Sequence, residues 1–230
     1  MQKTIGVLTA MNVEYRHVAA MLQDTEKVQS GPQEIMTGFL GEDNKVVLLQ
    51  CGIGKTNAAS GVTNLIMKCH PDYIISTGVA GGIDVGLDVM DIVIGKEVCY
   101  HDVYCGDNYD PGQVQGLPTL FKGDERLVGL ATALKTDVRI VPGMICTGDQ
   151  FISNHDELKV IKDKYPQGLA VDMESAAIAQ VCHLWNIPFL SFRIISDTPG
   201  VTAHFEQYLN FWDTMADKSF AVTKEFLSKI

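Results

Sequence analysis

The sequence predicts an α/β protein, a three-layer α/β/α single domain over residues 1–230 with a central mixed, largely parallel sheet. Short apolar stretches typical of buried strands alternate with stretches whose apolar residues recur every 3.6 residues, as in amphipathic helices. No Pro-, Ser- or charge-rich linker divides the chain, and 46% of its residues are hydrophobic. A chain of this size can bury roughly 70% of its unfolded surface in one core.

The first predicted elements are a strand over residues 4–9, which is an apolar run, and a helix over residues 11–22, whose apolar side chains share one face. Residues 34–40 and 45–50 are predicted to pair as a hairpin around a Gly-Glu-Asp-Asn turn. The second of these strands is nearly all apolar, which favours a central place in the sheet.

A helix opened by the Gly-Ile-Gly sequence at 52–54 is predicted to continue to about Cys69, because Pro71 ends it. Residues 73–77 form the next strand, and the Gly-Val-Ala-Gly-Gly sequence that follows at 78–82 is too rich in glycine to predict regular structure. Another strand is predicted over residues 91–100. A long polar loop then extends to about Lys122, and loops of that length in a compact domain are usually functional.

The second half continues the alternation of short apolar runs and helical periods. Its predicted elements are a helix near 124–134, a strand at 138–146, a short helix from about Asn154, a strand at 168–171, a helix at 173–185, a strand at 189–195 and a final helix from about Phe205. Aromatic side chains recur along that final helix to Trp212, a pattern typical of a core or a subunit interface.

Composition excludes several classes of partner. Eighteen Lys and Arg against 28 Asp and Glu give a formal charge of −10, so neither nucleic acid nor an anionic membrane is an expected partner. The six cysteines lie far apart without a C-x-x-C pair, and the six histidines form no chelating pair. We therefore expect free thiols, no metal and no cofactor. The first apolar stretch is too short for a signal peptide, so a cytoplasmic location is expected.

Several polar side chains follow predicted strands, and ligands in such folds bind beyond the carboxyl ends of the strands. Glu14 follows the first strand, Glu174 and Phe151 follow later ones, and Asp197 ends the strand that carries Arg193. We hypothesise that these side chains converge on one cleft. Each also has an ordinary structural interpretation, as a carboxylate in a first helical turn, a helix cap, an ion-pair partner or a core side chain.

Two glycine-rich stretches invite comparison with phosphate-binding loops. Residues 78–82 lack the G-x-G-x-x-G spacing, and the stretch from Gly52 to Thr56 lacks the upstream glycine of a P-loop, since position 49 is Leu. We interpret the first as a tight turn after a strand and reject the second as a P-loop.

Eight motifs along the chain form a recognisable set. They are Ala10-Met11 with Glu14, Cys51-Gly52-Ile53-Gly54-Lys55, Thr77-Gly78-Val79-Ala80-Gly81-Gly82, Asp91-Ile92-Val93, Tyr100-His101-Asp102, Gly148-Asp149-Gln150-Phe151-Ile152, Val171-Asp172-Met173-Glu174-Ser175-Ala176 and Arg193-Ile194-Ile195-Ser196-Asp197. In this order they resemble the bacterial 5′-methylthioadenosine/S-adenosylhomocysteine nucleosidases of the nucleoside phosphorylase superfamily. The resemblance covers nearly the whole chain.

The resemblance implies a nucleoside phosphorylase-like fold and an N-glycosyl hydrolase. The reaction implied is hydrolysis of the bond between adenine N9 and ribose C1′ in 5′-methylthioadenosine, S-adenosylhomocysteine and related 5′-deoxyadenosines. It releases adenine and a 5-substituted ribose, in methionine salvage and methyl-cycle recycling. The partners implied are the nucleoside and water.

For catalysis, the resemblance implies that Asp197 donates a proton toward adenine N7, that Glu174 binds the ribose hydroxyls, and that Glu14 orients and deprotonates the attacking water. Arg193 would fix the geometry around that water. General acid catalysis by a carboxyl group requires that it stay protonated near neutral pH, and burial favours this because it disfavours the charged form.

For binding, the resemblance implies an adenine stacked on Phe151 with its edge bound by the backbone of Ile152, a ribose packed on Met173, and an apolar pocket for the 5′-alkylthio group. The other expected contacts are Met11, Ile53, Val79, Ala80, Gly81, Ser196 and aromatic residues of the last helix. A homodimer is also implied, in which the loop after His101-Asp102 closes the pocket of the neighbouring subunit.

Some positions depart from the family pattern. Val79 stands where a hydroxyl residue often helps to hold the catalytic aspartate, so either another donor, such as the backbone or Thr198, orients Asp197, or its acidity and the preference for adenine differ. Asn12 and Asp172 each stand where glutamate is common. The segment 198–201 is less typical, which makes the 5′ pocket the least defined part of the site.

Three other functions remain open at this point. A nucleoside phosphorylase would need clustered cations for phosphate, whereas the chain has only four arginines and Glu14 would repel a phosphate dianion. A hydrolase of futalosine or aminodeoxyfutalosine would use the same machinery with a larger 5′ pocket. A nucleoside-binding protein without turnover would need neither an acid nor a base.

Overall fold

The structure, a computed structural model, describes residues 2–41, 44–198, 204–214 and 216–230, with the side chains of 204–205, 213–214 and 216–218 excepted. Its strands are β1 (Lys3–Thr9), β2 (Gln23–Ser30), β3 (Gln33–Leu40), β4 (Asn44–Gln50), β5 (Tyr73–Gly82), β6 (Ile92–Tyr100), β7 (Phe121–Lys122), β8 (Ile140–Thr147), β9 (Gly168–Asp172) and β10 (Phe189–Asp197). Its helices are α1 (Asn12–Ala19), α2 (Lys55–Cys69), α3 (Glu125–Thr132), α4 (His155–Lys164), α5 (Ser175–Trp185), α6 (His204–Thr214) and α7 (Ala216–Leu227).

One mixed sheet contains all ten strands, which confirms the predicted fold class. Its order is β10-β6-β8-β9-β5-β1-β4-β3-β2, and β7 pairs with β6. Because β10 also pairs with β5, the five strands from β10 to β5 close into a ring. Five of the ten pairings are parallel and five are antiparallel. The sheet is less parallel than predicted because β2 and β7, which the sequence did not reveal, both pair antiparallel.

Helices cover both faces of the sheet and give it three layers. Successive side chains of a strand point to opposite faces, so β1 places Leu8 among residues of α2 and α5, and Val7 among residues of α1, α3 and α7. Burying such a side chain fully contributes roughly 1.5–3 kcal/mol. Gly6 lies on the α2 face, where a Cβ would come within 2.7 Å of Leu65 Cδ2. Glycine therefore lets α2 pack closely on β1.

Residues 78–82 correct one prediction, because they continue β5 instead of leaving the sheet. Gly81 pairs with Val171 and Gly82 with Ala170 of β9, while the other edge of this segment pairs with β10. Backbone hydrogen bonds to strands on both sides keep the segment extended, although three of its five residues are glycine. The glycine-rich stretch is therefore part of the strand that forms the centre of the site.

Two further predictions were wrong at element boundaries. The first helix ends at Ala19, and residues 23–30 form an edge strand in which seven of eight residues are exposed. A strand that is polar on both faces has no apolar alternation to reveal it. The single final helix is divided into α6 and α7, and residue 215 between them lies outside the described residues. Of the segment 198–201, only Thr198 lies within them.

None of the helices in the described ranges combines the length and the apolar character needed to cross a bilayer.

Candidate functional site

A pocket with an empty volume of about 660 Å³ opens at the carboxyl ends of β1, β5, β9 and β10. The structure brings twelve of the thirteen predicted site residues to its wall, namely Met11, Glu14, Ile53, Val79, Ala80, Gly81, Phe151, Ile152, Met173, Glu174, Ser196 and Asp197. The thirteenth, Arg193, lies beneath the floor. Five lining residues were not predicted individually, namely Ala10, Gln150, Val171, Asp172 and Tyr208.

Glu14 is held in the first turn of α1 by backbone groups of two strand ends. Its Oε2 accepts hydrogen bonds from the N–H groups of Ala10 (3.0 Å) and Met11 (2.9 Å), and its Oε1 accepts from that of Val79 (3.0 Å). A Cβ at Gly78 would collide with Oε1, so glycine is needed for this approach. Glu14 is 2% exposed. Burial raises its pKa, and the charge of Arg193 and the three N–H groups oppose that rise.

Arg193 is buried under the pocket, at 1% exposure. Its Nε donates to Asp172 Oδ2 (2.8 Å), one Nη donates to Ser76 Oγ (2.8 Å), and the same Nη lies 3.8 Å from Glu174 Oε2. The guanidinium therefore does not line the cavity. It acts on the cavity through the carboxylates above it. Its role in fixing the geometry around the attacking water stays a prediction.

Asp172 anchors that arginine and also the start of α5. Its Oδ1 accepts from Thr147 Oγ1 (2.6 Å), and its Oδ2 accepts from the hydroxyl of Ser175 as well as from Arg193. The N–H of Ser175 also points at the carboxylate. One carboxylate thus ties the first residue of α5 to the buried arginine.

Glu174 lies beside the same arginine but faces the pocket. Its Oε1 accepts from the N–H of Gly54 (3.0 Å), which ties it to the start of α2. Burial and the negative charge of Asp172 raise the pKa of Glu174 to about 7, while Arg193 and the Gly54 N–H oppose the rise. A buried carboxylate fixed at a cavity wall can accept hydrogen bonds from hydroxyls and stabilise positive charge that develops in the cavity.

Asp197 reaches the pocket because the end of β10 is irregular. The pairing of β10 with β5 shifts register between Ile195 and Asp197, so that Asp197 lies opposite Gly81. Bulges of this kind redirect side chains, and here Ser196 and Asp197 both line the cavity. Ser196 Oγ donates to Asp197 Oδ1 (2.8 Å). Ser196 thus supplies a hydroxyl donor that Val79 lacks, which favours the alternative that another donor orients Asp197.

The start of α2 presents its N–H groups to protein carboxylates. Gly54 donates to Glu174, and Lys55 donates its backbone N–H to Asp149 Oδ1 (2.8 Å). The Lys55 ammonium lies 2.7 Å from Asp102 Oδ2. No lysine or arginine is among the described residues that line the pocket. The cavity is therefore built to favour positive charge, and the glycine-lysine sequence does not hold a phosphate.

The mouth of the pocket is apolar and half exposed. Phe151 is 55% exposed and Ile53 is 51% exposed. The Phe151 ring meets the Tyr208 ring edge to face, with centroids 5.8 Å apart, and Tyr208 Oη donates to Met11 Sδ (3.4 Å). Planar apolar surface above an acidic floor suits a ligand with a flat ring on one side and a polar, charge-developing centre below.

Comparison with known proteins agrees with this geometry. The Phosphorylase superfamily matches residues 4–228. A 5′-methylthioadenosine/S-adenosylhomocysteine nucleosidase of Bacillus cereus strain B4264 is 42% identical over 212 residues, which are 90% of this chain and 91% of the relative. One from Bacillus thuringiensis strain Al Hakam is 41% identical over the same shares.

Solved structures of the same kind superpose closely. The nucleosidase of Neisseria meningitidis, in complex with methylthio-immucillin-A, has a TM-score of 0.92 and 33% identity, covering 99% of this chain and all of its own. That of Colwellia psychrerythraea, in complex with adenine, has a TM-score of 0.91 and 31% identity, covering 100% and 96%. The chain belongs to the 5′-methylthioadenosine/S-adenosylhomocysteine nucleosidases of the phosphorylase superfamily. The predicted resemblance and the predicted nucleoside phosphorylase-like fold are thereby confirmed.

Four of the five lining residues that were not predicted individually lie within the eight sequence motifs, and the fifth, Tyr208, lies in α6. Ala10 and Gln150 directly precede predicted residues, and Val171 and Asp172 are the two residues before Met173, so adjacency was the available signal. Tyr208 belongs to the aromatic set of the last helix, which had been named only as a group. Within the described ranges, no three His, Cys, Asp or Glu side chains are grouped so that they could hold a metal ion.

Proposed function

We propose that this chain hydrolyses the N-glycosidic bond of 5′-methylthioadenosine and S-adenosylhomocysteine, releasing adenine and a 5-substituted ribose, in methionine salvage and methyl-cycle recycling. The observation that carries the proposal is the convergence of Glu14, Glu174 and Asp197, each at most 6% exposed, on one largely apolar pocket. Membership of the nucleosidase family supports the same reaction.

Asp197 is the general acid in this proposal. Adenine leaves as a neutral base only if its ring is protonated as the bond to the sugar breaks, and a carboxyl group at the cavity wall can donate that proton to N7. The hydrogen bond from Ser196 fixes one oxygen of the carboxyl group. The other oxygen is then oriented for the base.

Glu174 and Glu14 act on the sugar side. As the glycosidic bond breaks, ribose gains oxocarbenium character, and the Glu174 carboxylate stabilises it while accepting hydrogen bonds from the 2′- and 3′-hydroxyls. Glu14 orients the water and takes its proton, which suits a carboxylate whose pKa burial raises above its ordinary value. Arg193 keeps both glutamates in place from below.

The lining residues support contacts for the rest of the substrate. Adenine stacks on Phe151, its edge meets the backbone of Ile152, and ribose packs on Met173. The 5′-alkylthio group lies among Met11, Ile53 and Tyr208, whose apolar surface matches it. Val79, Ala80, Gly81 and Ser196 complete the wall on the Asp197 side.

The same geometry argues against a phosphorylase. A phosphate dianion would enter a cavity with no cation among its described lining residues, and it would lie near buried Glu14. Lys55, which directly follows Gly54 at the ribose side, is engaged by Asp102 and Asp149. Water is neutral and avoids this repulsion.

Three further features belong to the proposal. Half-exposed Phe151 and Ile53 at the mouth support a homodimer in which a second subunit covers them, which sedimentation of the pure protein would test. The six cysteines are free, which supports a cytoplasmic location. One sheet contains strands from Lys3 to Asp197, and this supports a single domain over residues 1–230.

The test is to incubate the pure protein with 5′-methylthioadenosine, with and without phosphate, and to identify both products. We expect adenine and free methylthioribose at a rate independent of phosphate. A ribose 1-phosphate formed only with phosphate would contradict the assignment of Glu14 and indicate a phosphorylase. If the protein does not hydrolyse 5′-methylthioadenosine but does hydrolyse futalosine or aminodeoxyfutalosine, the substrate is one of these two nucleosides. Tight binding without any turnover would indicate a nucleoside-binding protein.

A further inference from the structure

Three segments around the pocket mouth are joined by a charged network outside the cavity. We call Lys55, Asp102 and Asp149 the rim clamp. The Lys55 ammonium donates to both carboxylate oxygens of Asp102 (2.8 and 2.7 Å) and lies 3.7 Å from Asp149 Oδ2. Backbone groups close the network, since the Asp149 N–H donates to Asp102 Oδ2 (2.9 Å) and the Lys55 N–H donates to Asp149 Oδ1 (2.8 Å).

The rim clamp joins the two sides of the substrate site. Asp149 directly precedes Gln150, Phe151 and Ile152, which line the pocket on the adenine side. Lys55 directly follows Gly54, whose N–H binds Glu174 on the ribose side. None of the three clamp residues is itself among the lining residues. The network therefore fixes the distance between the adenine segment and the ribose carboxylate without touching the substrate.

Exposed ion pairs usually contribute little, but this network differs from them in burial and in connectivity. The side chains of Lys55 and Asp102 are 23% and 22% exposed. That of Asp149 is 49% exposed, so Asp149 contributes through its bonds to the Lys55 N–H and to Asp102 and not through burial. The Lys55 ammonium also lies 5.4 Å from the centre of the Tyr100 ring, which adds a cation–π contact. Burial acts to raise the pKa of Asp102, but the bonds from Lys55 and from the Asp149 N–H outweigh it and lower that pKa.

We propose that Lys55, Asp102 and Asp149 are positioning residues that hold Phe151 and Ile152 in register with Glu174, so that adenine and ribose are bound together. The inference rests on the proposed function, because it assigns the adenine side of that site. Without the clamp, the segment 149–152 must be ordered by the ligand itself, and that ordering weakens binding. Asp197 and Glu14 lie on other elements, so the chemical step is affected less than binding.

The experiment compares Asp149→Ala and Lys55→Met with wild type. We expect the KM for 5′-methylthioadenosine and the Kd for adenine to rise together by about tenfold, with kcat changed by less than about threefold. Asp149→Asn should recover part of the affinity, because its oxygen can still accept the Lys55 N–H. The double variant with both Asp149→Ala and Lys55→Met should lose little more affinity for adenine than either single variant. Lys27→Met and Asp163→Asn, in exposed ion pairs elsewhere, are the matched controls and should match wild type.

Adenine binding, measured by calorimetry, separates positioning from a merely structural effect. An adenine Kd that stays within about twofold of wild type in both single variants would overturn the proposal, whether or not kcat or the melting temperature falls. Absence of turnover by the wild-type protein would overturn the proposed function instead, and the adenine Kd values would still decide the clamp. Absence of adenine binding by wild type would overturn both.

Discussion

Asp197 and Ser196 are adjacent in sequence, yet both side chains reach the same cavity. Regular β-structure would send neighbours to opposite faces, and the register shift after Ile195 removes that alternation. The pair thereby forms a carboxyl group with its own hydroxyl donor. This local irregularity is the basis of two predictions.

Asp197→Asn should abolish nearly all turnover while leaving nucleoside affinity within a few-fold of wild type. Asparagine has the same shape and can still accept the Ser196 hydrogen bond, but it cannot donate the proton. General acid catalysis contributes about 10²–10⁴-fold, so kcat should fall by that factor. Single-turnover kinetics and calorimetric titration with 5′-methylthioadenosine measure the two quantities. An unchanged kcat would refute the general-acid assignment.

Ser196→Ala and Val79→Ser should have unequal effects. The Ser196 hydroxyl binds Asp197 directly, and removing one partner of a buried hydrogen bond costs about 1–3 kcal/mol, so kcat/KM should fall by at least about fivefold. The Val79 position already serves Glu14 through its backbone N–H, so Val79→Ser should change kcat/KM by less than about twofold. Equal losses, or a gain in Val79→Ser with none lost in Ser196→Ala, would show that position 79 orients Asp197.

The sequence predicted most of the residues that surround the pocket, but it did not predict how deeply each side chain is buried. Glu14, Glu174 and Asp197 follow strands, and strand ends meet at one edge of such a sheet. Arg193 lies in the middle of β10, opposite Gly78 of β5. Only the pairing of these two strands shows that its guanidinium lies under the floor of the pocket. Sequence spacing contains no information about which strand neighbours β10.

At the scale of elements, pairing overrides composition. The glycine-rich end of β5 stays in the sheet because β9 and β10 pair with it on either side. The sequence did not predict the polar edge strand β2, because it pairs only with β3 and almost all of its side chains are exposed. Strongly apolar strands and periodic helices, such as β4 and α2, were predicted closely because burial alone determines them.

The start of α5 depends on Asp172. This carboxylate binds Thr147, Ser175 and Arg193 at once, so Asp172→Asn leaves the buried guanidinium without its closest counter-charge. Removing one partner of a buried ion pair costs about 3–5 kcal/mol, and we expect the free energy of unfolding in urea to fall by about that amount. Asp163→Asn, in an exposed pair on α4, is the control. A loss below about 1 kcal/mol would show that the remaining carboxylates replace Asp172.

At the scale of the whole molecule, several of the acidic residues of this acidic chain are buried around one cavity. Glu14, Asp172, Glu174 and Asp197 are all buried around one buried arginine. Placing several carboxylates in a desolvated site opposes their ionisation, and the same arrangement stabilises a cationic sugar. Function and stability are therefore expected to conflict in this cavity.

Glu174→Gln tests that conflict. Glu174 ionises near pH 4.5 when unfolded, and its pKa is raised to about 7 in the folded protein. The folded state then holds the proton more tightly, so the stability due to this group is fully present below about pH 4.5 and is lost as the pH rises toward 7. Glutamine never ionises, and its oxygen can still accept the Gly54 N–H. Between pH 5 and pH 8, urea unfolding should show the variant gaining on the order of 2 kcal/mol relative to wild type.

Turnover provides the other half of that test. Glu174→Gln should lower kcat for 5′-methylthioadenosine by at least about a hundredfold, since a neutral amide stabilises the cationic ribose poorly. Glu14 is present in both proteins, so its own titration largely cancels in the difference. Glu26→Gln, at an exposed position on β2, should run parallel to wild type over the same pH range. A Glu174→Gln stability curve that also runs parallel to wild type would mean that Arg193 and Gly54 fully compensate the buried charge, and the cavity would then carry its carboxylates without loss of stability.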